Sequence, residues 1–264
     1  MSRTCAMNRA LAAALLCAGL VGAAACPTGA TPSTNFWAPS TPAVQPFGVL
    51  HVTYDTYFGS KAAYPIDAGL TIGLLPGSSL QAEAGFDLFY PTYSGGKGVE
   101  FPLVLNAKLG APEDAWFKGQ PAWSVGFFGL GFEKDVNDQN ALYGVLGKTI
   151  PGLGSAQFGA YYGLNERLFR SADGADERFG LLAGYVSPAI DVPVIDRIVF
   201  TWDIQSGHNA LGATGGGAYF HVTPSVDLLT GPVFFFERDL QPGGSSWMWS
   251  LQLDVDLDLR PGGQ

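Results

Sequence analysis

Apolar and polar residues alternate with a period of two along most of the chain after residue 48. The clearest segment is the last, where every odd position from Trp247 to Leu259 is apolar. The even positions of the same segment include Gln252, Asp254 and Asp256. Because successive side chains point to opposite faces of a β-strand, this pattern predicts a strand with one apolar and one polar face.

Segments of this kind recur throughout residues 49–259, each bounded by Gly, Pro, Asn or Asp. They predict twelve strands, near residues 49–59, 65–76, 79–91, 101–111, 121–132, 141–151, 154–165, 178–189, 197–207, 212–224, 226–238 and 245–258. Their even number and their lengths fit the roughly 9–11 residues that a tilted strand needs to cross a bilayer. The prediction is therefore an all-β fold, an antiparallel transmembrane β-barrel of about twelve strands.

The connections between these segments alternate in length. Long ones such as 92–100, 133–140 and 166–177 take turns with tight ones such as 76–78 and 151–153, as expected when short turns gather on one side of a membrane. The connections 112–120 and 190–196 are longer than this rule predicts. A soluble exported all-β domain also alternates and stays open as an alternative, although its strands usually run to five or six residues.

The first 25 residues have the pattern of an export signal. Arg3 and Arg9 precede an apolar run that ends in Ala23–Ala25. Cys26 follows and is a candidate for lipidation, the alternative being a cysteine beside an ordinary cleavage site. Residues 26–48 carry five prolines with many Ser and Thr and predict an extended leader rather than packed structure. A polar tail, 260–264, ends the chain.

Composition and charge narrow the function. Charged residues make up 14% of the chain and the net charge is −9, so no clustered basic surface for nucleic acid is expected. No cysteine, histidine or carboxylate spacing indicates a metal site, and no motif indicates a cofactor. The expected surroundings are lipid of a bacterial outer membrane and small solutes or cations; the sequence predicts no oligomeric state.

Polar strand faces that point into a barrel form its lumen. The residues predicted to line it are Asp55, Asp67, Glu83, Asp87, Lys108, Asp203, His221, Asp254, Asp256 and Asp258. Carboxylates in such excess over basic groups favour cations and repel anions. The prediction is a narrow, cation-favouring channel for small solutes, because twelve strands enclose less space than the 16–18 of wide porins.

Two alternatives stay open beside the channel. In one, loop arginines such as Arg167, Arg170 and Arg178 fold inward, pair with the lumen acids and close a purely structural barrel. In the other, the barrel is a lipid hydrolase, for which Ser206 and His208 lie in one connection. No carboxylate follows at a recognisable catalytic spacing, so the chain is predicted not to be an enzyme.

Two stretches resemble a group of uncharacterised bacterial outer-membrane β-barrel proteins, which are porin-like. One is TWDIQSGHNALG at 201–212, followed by a glycine-rich strand and FHVTP at 220–224; the other is NFWAPSTPAVQP at 35–46. The resemblance implies a barrel fold and adds no catalytic residue.

Overall fold

The computed structural model of the protein describes residues 34–59, 66–90 and 101–260. The export signal, Cys26 and the last four residues of the tail lie outside the described residues. The strands are β1 (Val49–Phe58), β2 (Ile66–Gly73), β3 (Gln81–Tyr90), β4 (Leu103–Ala111), β5 (Ala122–Gly131), β6 (Ala141–Ile150), β7 (Gly154–Gly163), β8 (Phe179–Val186), β9 (Ile190–Val192), β10 (Ile195–Gln205), β11 (Ala213–Thr223), β12 (Val226–Phe235) and β13 (Trp247–Asp258).

These strands close into one antiparallel barrel. Each strand from β1 to β7 pairs with the next, β8 pairs with β10, and β10 to β13 continue the sheet. Pairing of β13 with β1 closes the ring. Strand β9 lies beside β10 on the same edge as β8, so the wall has twelve strand positions. The predicted twelve-stranded antiparallel barrel is confirmed, whereas β9 falls in a segment that was predicted to be a connection.

Alternation along each wall strand separates a polar inner face from an apolar outer face. Outward side chains such as Leu146 and Phe158 are more than half exposed. Among the described wall residues, Lys148 and Asp196 are the charged exceptions on the outer rows, and both lie within three residues of a strand end. Ten residues at about 3.3 Å each, tilted about 40°, give an apolar band about 25 Å tall.

The two ends of the barrel differ. The end at which β1 begins, here called the N-terminal mouth, carries the connections 74–80, 112–121, 151–153, 187–194 and 224–225. The opposite end, the loop mouth, carries the connections 132–140, 164–178, 206–212 and 236–246, of which the last contains two short 3₁₀ turns, Arg238–Leu240 and Pro242–Gly244. In the described ranges, no helix is long and apolar enough to cross a membrane.

Residues 34–48 lie inside the barrel and are here called the plug. Phe36, Ala38, Ser40 and Gln45 each expose 1% or less of their surface. The segment turns at residues 35–40, deep in the interior, and then runs to the N-terminal mouth, where Phe47 forms a bridge with Gly73 of β2. The expectation that 26–48 is unpacked is therefore wrong for its described part.

Candidate functional site in the barrel interior

The structure places all ten predicted lining residues on inward rows of the wall. Eight acids and Lys108 lie in β1, β2, β3, β4, β10 and β13, at positions that follow the period of two. His221 lies on the inward row of β11 by the same rule. Asp258, at the N-terminal mouth, is bonded to Arg260. The alternation thus identified which side chains face inward, and their role in conduction stays a prediction.

Five of these carboxylates form a diagonal row, here called the acidic ladder: Asp256 and Asp254 of β13, Asp55 of β1, Asp67 of β2 and Asp87 of β3. Strand register sets their heights. Asp256 is opposite His51, Asp254 is opposite Thr53, and Asp55 is opposite Asp67. The row therefore climbs from the N-terminal mouth as far as Asp55 and Asp67. Asp87 is opposite Gly69, which is opposite Thr53, so it lies one inward position nearer the N-terminal mouth.

Few donors contact the upper part of the acidic ladder. Asp55 accepts a hydrogen bond of 3.0 Å from the Thr53 hydroxyl, and Asp87 accepts one from Asn106. One buried oxygen of Asp67, Oδ1, has no hydrogen-bond partner among the described residues. No basic side chain of the described chain is bonded to these three acids.

The lower part of the acidic ladder is bound by a histidine and by the plug. Nδ1 of His51 lies 2.8 Å from Asp256, and its Nε2 lies 3.6 Å from Asp254. The amide of Gln45 donates to Asp256 over 3.0 Å. The plug therefore crosses the acidic ladder near the N-terminal mouth.

Lys108, the basic residue predicted in the lumen, ties the wall to the plug. Its Nζ lies 3.3 Å from Glu83 and donates to the carbonyl of Ala43 over 2.7 Å. Glu83 in turn accepts the backbone N–H of Gln45. Lys108 and Glu83 thus form an ion pair, and this pair holds a chain segment instead of standing open to a pore.

Asp203 of β10 is the principal attachment of the plug. Its Oδ2 accepts the backbone N–H groups of Phe36, Trp37 and Ala38 over 2.9, 3.0 and 2.9 Å, and the Ser40 hydroxyl lies 3.4 Å away. Asp203 is fully buried. A carboxylate that accepts several N–H groups makes strong, charge-assisted bonds, so the turn at 36–40 is fixed against the wall.

The side chain of Trp37 fills the space above this carboxylate. Its ring meets Tyr57 and Phe235 edge to face, with centroid distances of 5.7 and 5.4 Å. Its Nε1–H donates to the carbonyl of Leu211 over 2.9 Å. Phe36 and Ala38 continue into apolar clusters on either side. The loop-mouth half of the interior is therefore packed around the plug.

Glycines on the inner wall make room for the plug. A Cβ on Gly215 would lie 2.8 Å from the ring of Phe36, and one on Gly147 would lie 2.6 Å from Pro42. Real Cβ atoms do not approach other atoms this closely. The wall and the plug are thus complementary in shape at two levels of the barrel.

The sequence analysis missed one acidic residue of the interior, Asp227. Asp227 of β12 is buried and lies 2.7 Å from Nδ1 of His221, and Tyr219 donates to Asp254. Asp227 escaped notice because β12 carries Leu, Val and Phe on both faces, so its alternation is weak. The period of two from Asp227 to Val233 is the signal that would have assigned it to the interior.

The arginines expected to close the barrel do not enter it. Arg167, Arg170 and Arg178 pair with the loop acids Asp135, Glu166 and Asp176 at the loop mouth. The hydrogen bond from Arg178 lowers the pKa of Asp176, which keeps this exposed pair ionised. The predicted inward folding of these arginines is therefore wrong, because acids of the same loop or of a neighbouring loop bind them, and the plug fills the lumen instead.

The serine and histidine of the hydrolase alternative point to different partners. Oγ of Ser206 accepts the N–H of Leu181 over 2.7 Å. His208 is largely exposed; its backbone N–H donates to Glu177 over 3.0 Å, and Nδ1 of its ring lies 3.9 Å from the carboxylate of Glu237. This geometry offers no activated nucleophile at that connection. Within the described ranges, no cluster of three His, Cys, Asp or Glu side chains could hold a metal ion.

Comparisons with known proteins give the following. No protein-family model matches the chain, and no curated protein matches it. Among solved structures, the chain is similar to the NanC porin, with a TM-score of 0.49 and 13% identity over 80% of this chain and 100% of that one. It also matches a de novo designed transmembrane β-barrel, with a TM-score of 0.25 and 10% identity over 81% of this chain and 99% of that one.

Proposed function

We propose that the protein is a porin-like channel of a bacterial outer membrane that passes small cations when the plug moves out of the lumen. The observation that carries this proposal is the acidic ladder, a row of five carboxylates on one side of the interior. Rings and rows of carboxylates in a low-dielectric shell attract cations and exclude anions.

The outer surface supports a place in a membrane. Its apolar band is about 25 Å tall, the height expected of an outer-membrane barrel. Aromatic side chains lie at both borders of the band, Trp247 and Trp249 near the loop mouth and Trp116 and Trp123 near the N-terminal mouth. Tryptophan prefers the interface between lipid and water.

The interior supports control by the plug. Residues 36–38 cap Asp203, and Gln45 crosses the acidic ladder beside His51. With the plug in place, the lumen holds packed side chains where a hydrated ion would pass. Conduction therefore requires the plug to shift, and the acids determine the ion once it has shifted.

The test is the reversal potential of single openings of the full chain in planar bilayers under a tenfold KCl gradient. We expect rare openings whose reversal potential lies on the potassium side of zero, towards the limit of about 59 mV for a tenfold ratio. Openings that reverse on the chloride side would contradict the proposal.

A closed, structural barrel is the second candidate. It is favoured by the burial of the plug, since Phe36, Ser40 and Gln45 are almost fully covered. In that case the full chain stays electrically silent even when the bonds at Asp203 are removed by substitution.

A further inference from the structure

We propose that the space occupied by Trp37 is a binding site for an arylethylammonium ion, a primary amine joined by two carbons to an aromatic ring. This inference rests on the proposed function, because the site is free only when the plug has moved. The plug itself outlines the ligand: from the backbone nitrogen of Trp37 through its Cα and Cβ to the indole, the residue has the skeleton of tryptamine.

The nitrogen end of that skeleton lies against a carboxylate. The backbone nitrogen of Trp37 is 3.0 Å from Oδ2 and 3.2 Å from Oδ1 of Asp203. An ammonium nitrogen at the same position would be within bonding distance of both oxygens. It would also offer three N–H donors where Trp37 offers one.

The charge at this point favours a cation. Within the described residues, the partners of the Asp203 carboxylate are neutral: the backbone N–H groups of 36–38 and the Ser40 hydroxyl. When the plug leaves, these donors leave with it, and a buried carboxylate without partners costs free energy. An ammonium ion replaces the donors and neutralises the charge, whereas a carboxylate ligand would be repelled.

The ring end of the skeleton lies in an aromatic box. The rings of Tyr57 and Phe235 stand at nearly right angles to the indole, 85° in both cases. The carbonyl of Leu211 accepts the indole N–H. A ring with an N–H at that position satisfies this carbonyl, so an indole is favoured over a phenyl ring.

Trp37 is also the part of this turn that solvent reaches. Phe36, Ala38 and Ser40 are fully buried, whereas Trp37 is only partly buried. A ligand that competes for this site would therefore meet the indole position first and the carboxylate after it.

The experiment uses the full wild-type chain, folded in detergent micelles, and measures binding of tryptamine by calorimetry. Indole and 3-indolepropionate are the comparison ligands, the first without a charge and the second with the opposite charge. We expect tryptamine to bind at least about tenfold more tightly than either, because only its ammonium group replaces the plug N–H groups at Asp203, and we expect Asp203→Asn to lose that advantage. Asp196→Asn, whose carboxylate is bonded to Arg197 away from the plug, is the matched control and should keep it.

Equal binding of tryptamine and indole would overturn the proposal, because the site would then be an apolar cavity without use of the carboxylate. No binding to the folded wild-type chain would overturn it as well. Hydrogen exchange of the same chain is the second readout. Tryptamine at about 10 mM should accelerate exchange of the amides of 36–38 and 3-indolepropionate should not, and equal exchange with both would overturn the proposal. Binding in micelles requires no ion flow. A barrel that binds tryptamine but conducts no ions would therefore contradict the proposed channel function and support the proposed binding site.

Discussion

Asp203→Asn is expected to raise the open probability of the barrel about a hundredfold. The carboxylate holds three consecutive N–H groups of the plug. A neutral amide keeps one weaker acceptor and turns N–H donors of its own towards the donors of the plug. Charged hydrogen bonds are worth about 1.5–3 kcal/mol each, so a net loss of about 3 kcal/mol is a modest expectation for the whole group. That loss corresponds to a factor of about a hundred.

Single-channel recording at fixed voltage measures this effect, with Asp196→Asn as the matched control. Asp196 lies in the same strand, but its carboxylate is bonded to Arg197 near the N-terminal mouth, away from the plug. The control should open as rarely as the wild type. If both variants stay silent while their folding is intact, the plug is not a gate and the barrel is closed.

The second large effect is on ion selectivity. Combining Asp55→Asn, Asp67→Asn and Asp87→Asn with Asp203→Asn should move the reversal potential most of the way to zero under the tenfold gradient. These three acids form the upper acidic ladder, where the described chain supplies no basic partner. Their removal therefore takes away the charge that concentrates cations.

Three exposed loop acids provide the control for that substitution. Asp173→Asn, Asp176→Asn and Asp239→Asn remove the same number of charges at the loop mouth. Water and salt screen them over about 8 Å at physiological ionic strength, so selectivity should change little. An equal loss of selectivity in the control would assign it to the net charge of the protein instead of the acidic ladder.

The fold and the inner face could be predicted from the sequence because both depend on a local rule. A strand buries alternate residues, so the positions of Asp254 and Asp256 among leucines and valines determine their side of the wall. Lys108 and Glu83 follow the same rule in two neighbouring strands and meet in register.

The plug could not be predicted because it depends on contacts between distant residues. Phe36 and Asp203 are 167 positions apart, and nothing near either residue signals the other. The prolines at 39, 42 and 46 indicated an extended, unpaired segment. Such a segment has free backbone N–H groups, which the carboxylates of the interior then bind. The unpaired backbone that suggested a leader is what makes the segment suitable as a plug.

Thiol labelling at Ser40 tests the central claim, that residues 34–48 lie inside the folded barrel. Ser40→Cys, in a chain with Cys5, Cys17 and Cys26 replaced by serine, is labelled with a membrane-impermeant maleimide; Phe47→Cys is the exposed reference. The account predicts that the thiol introduced by Ser40→Cys is protected, reacting far more slowly than the one introduced by Phe47→Cys, and that adding Asp203→Asn makes it reactive. Equal rates at the two positions in the otherwise wild-type chain would contradict the account, because the lumen would then be empty of this segment.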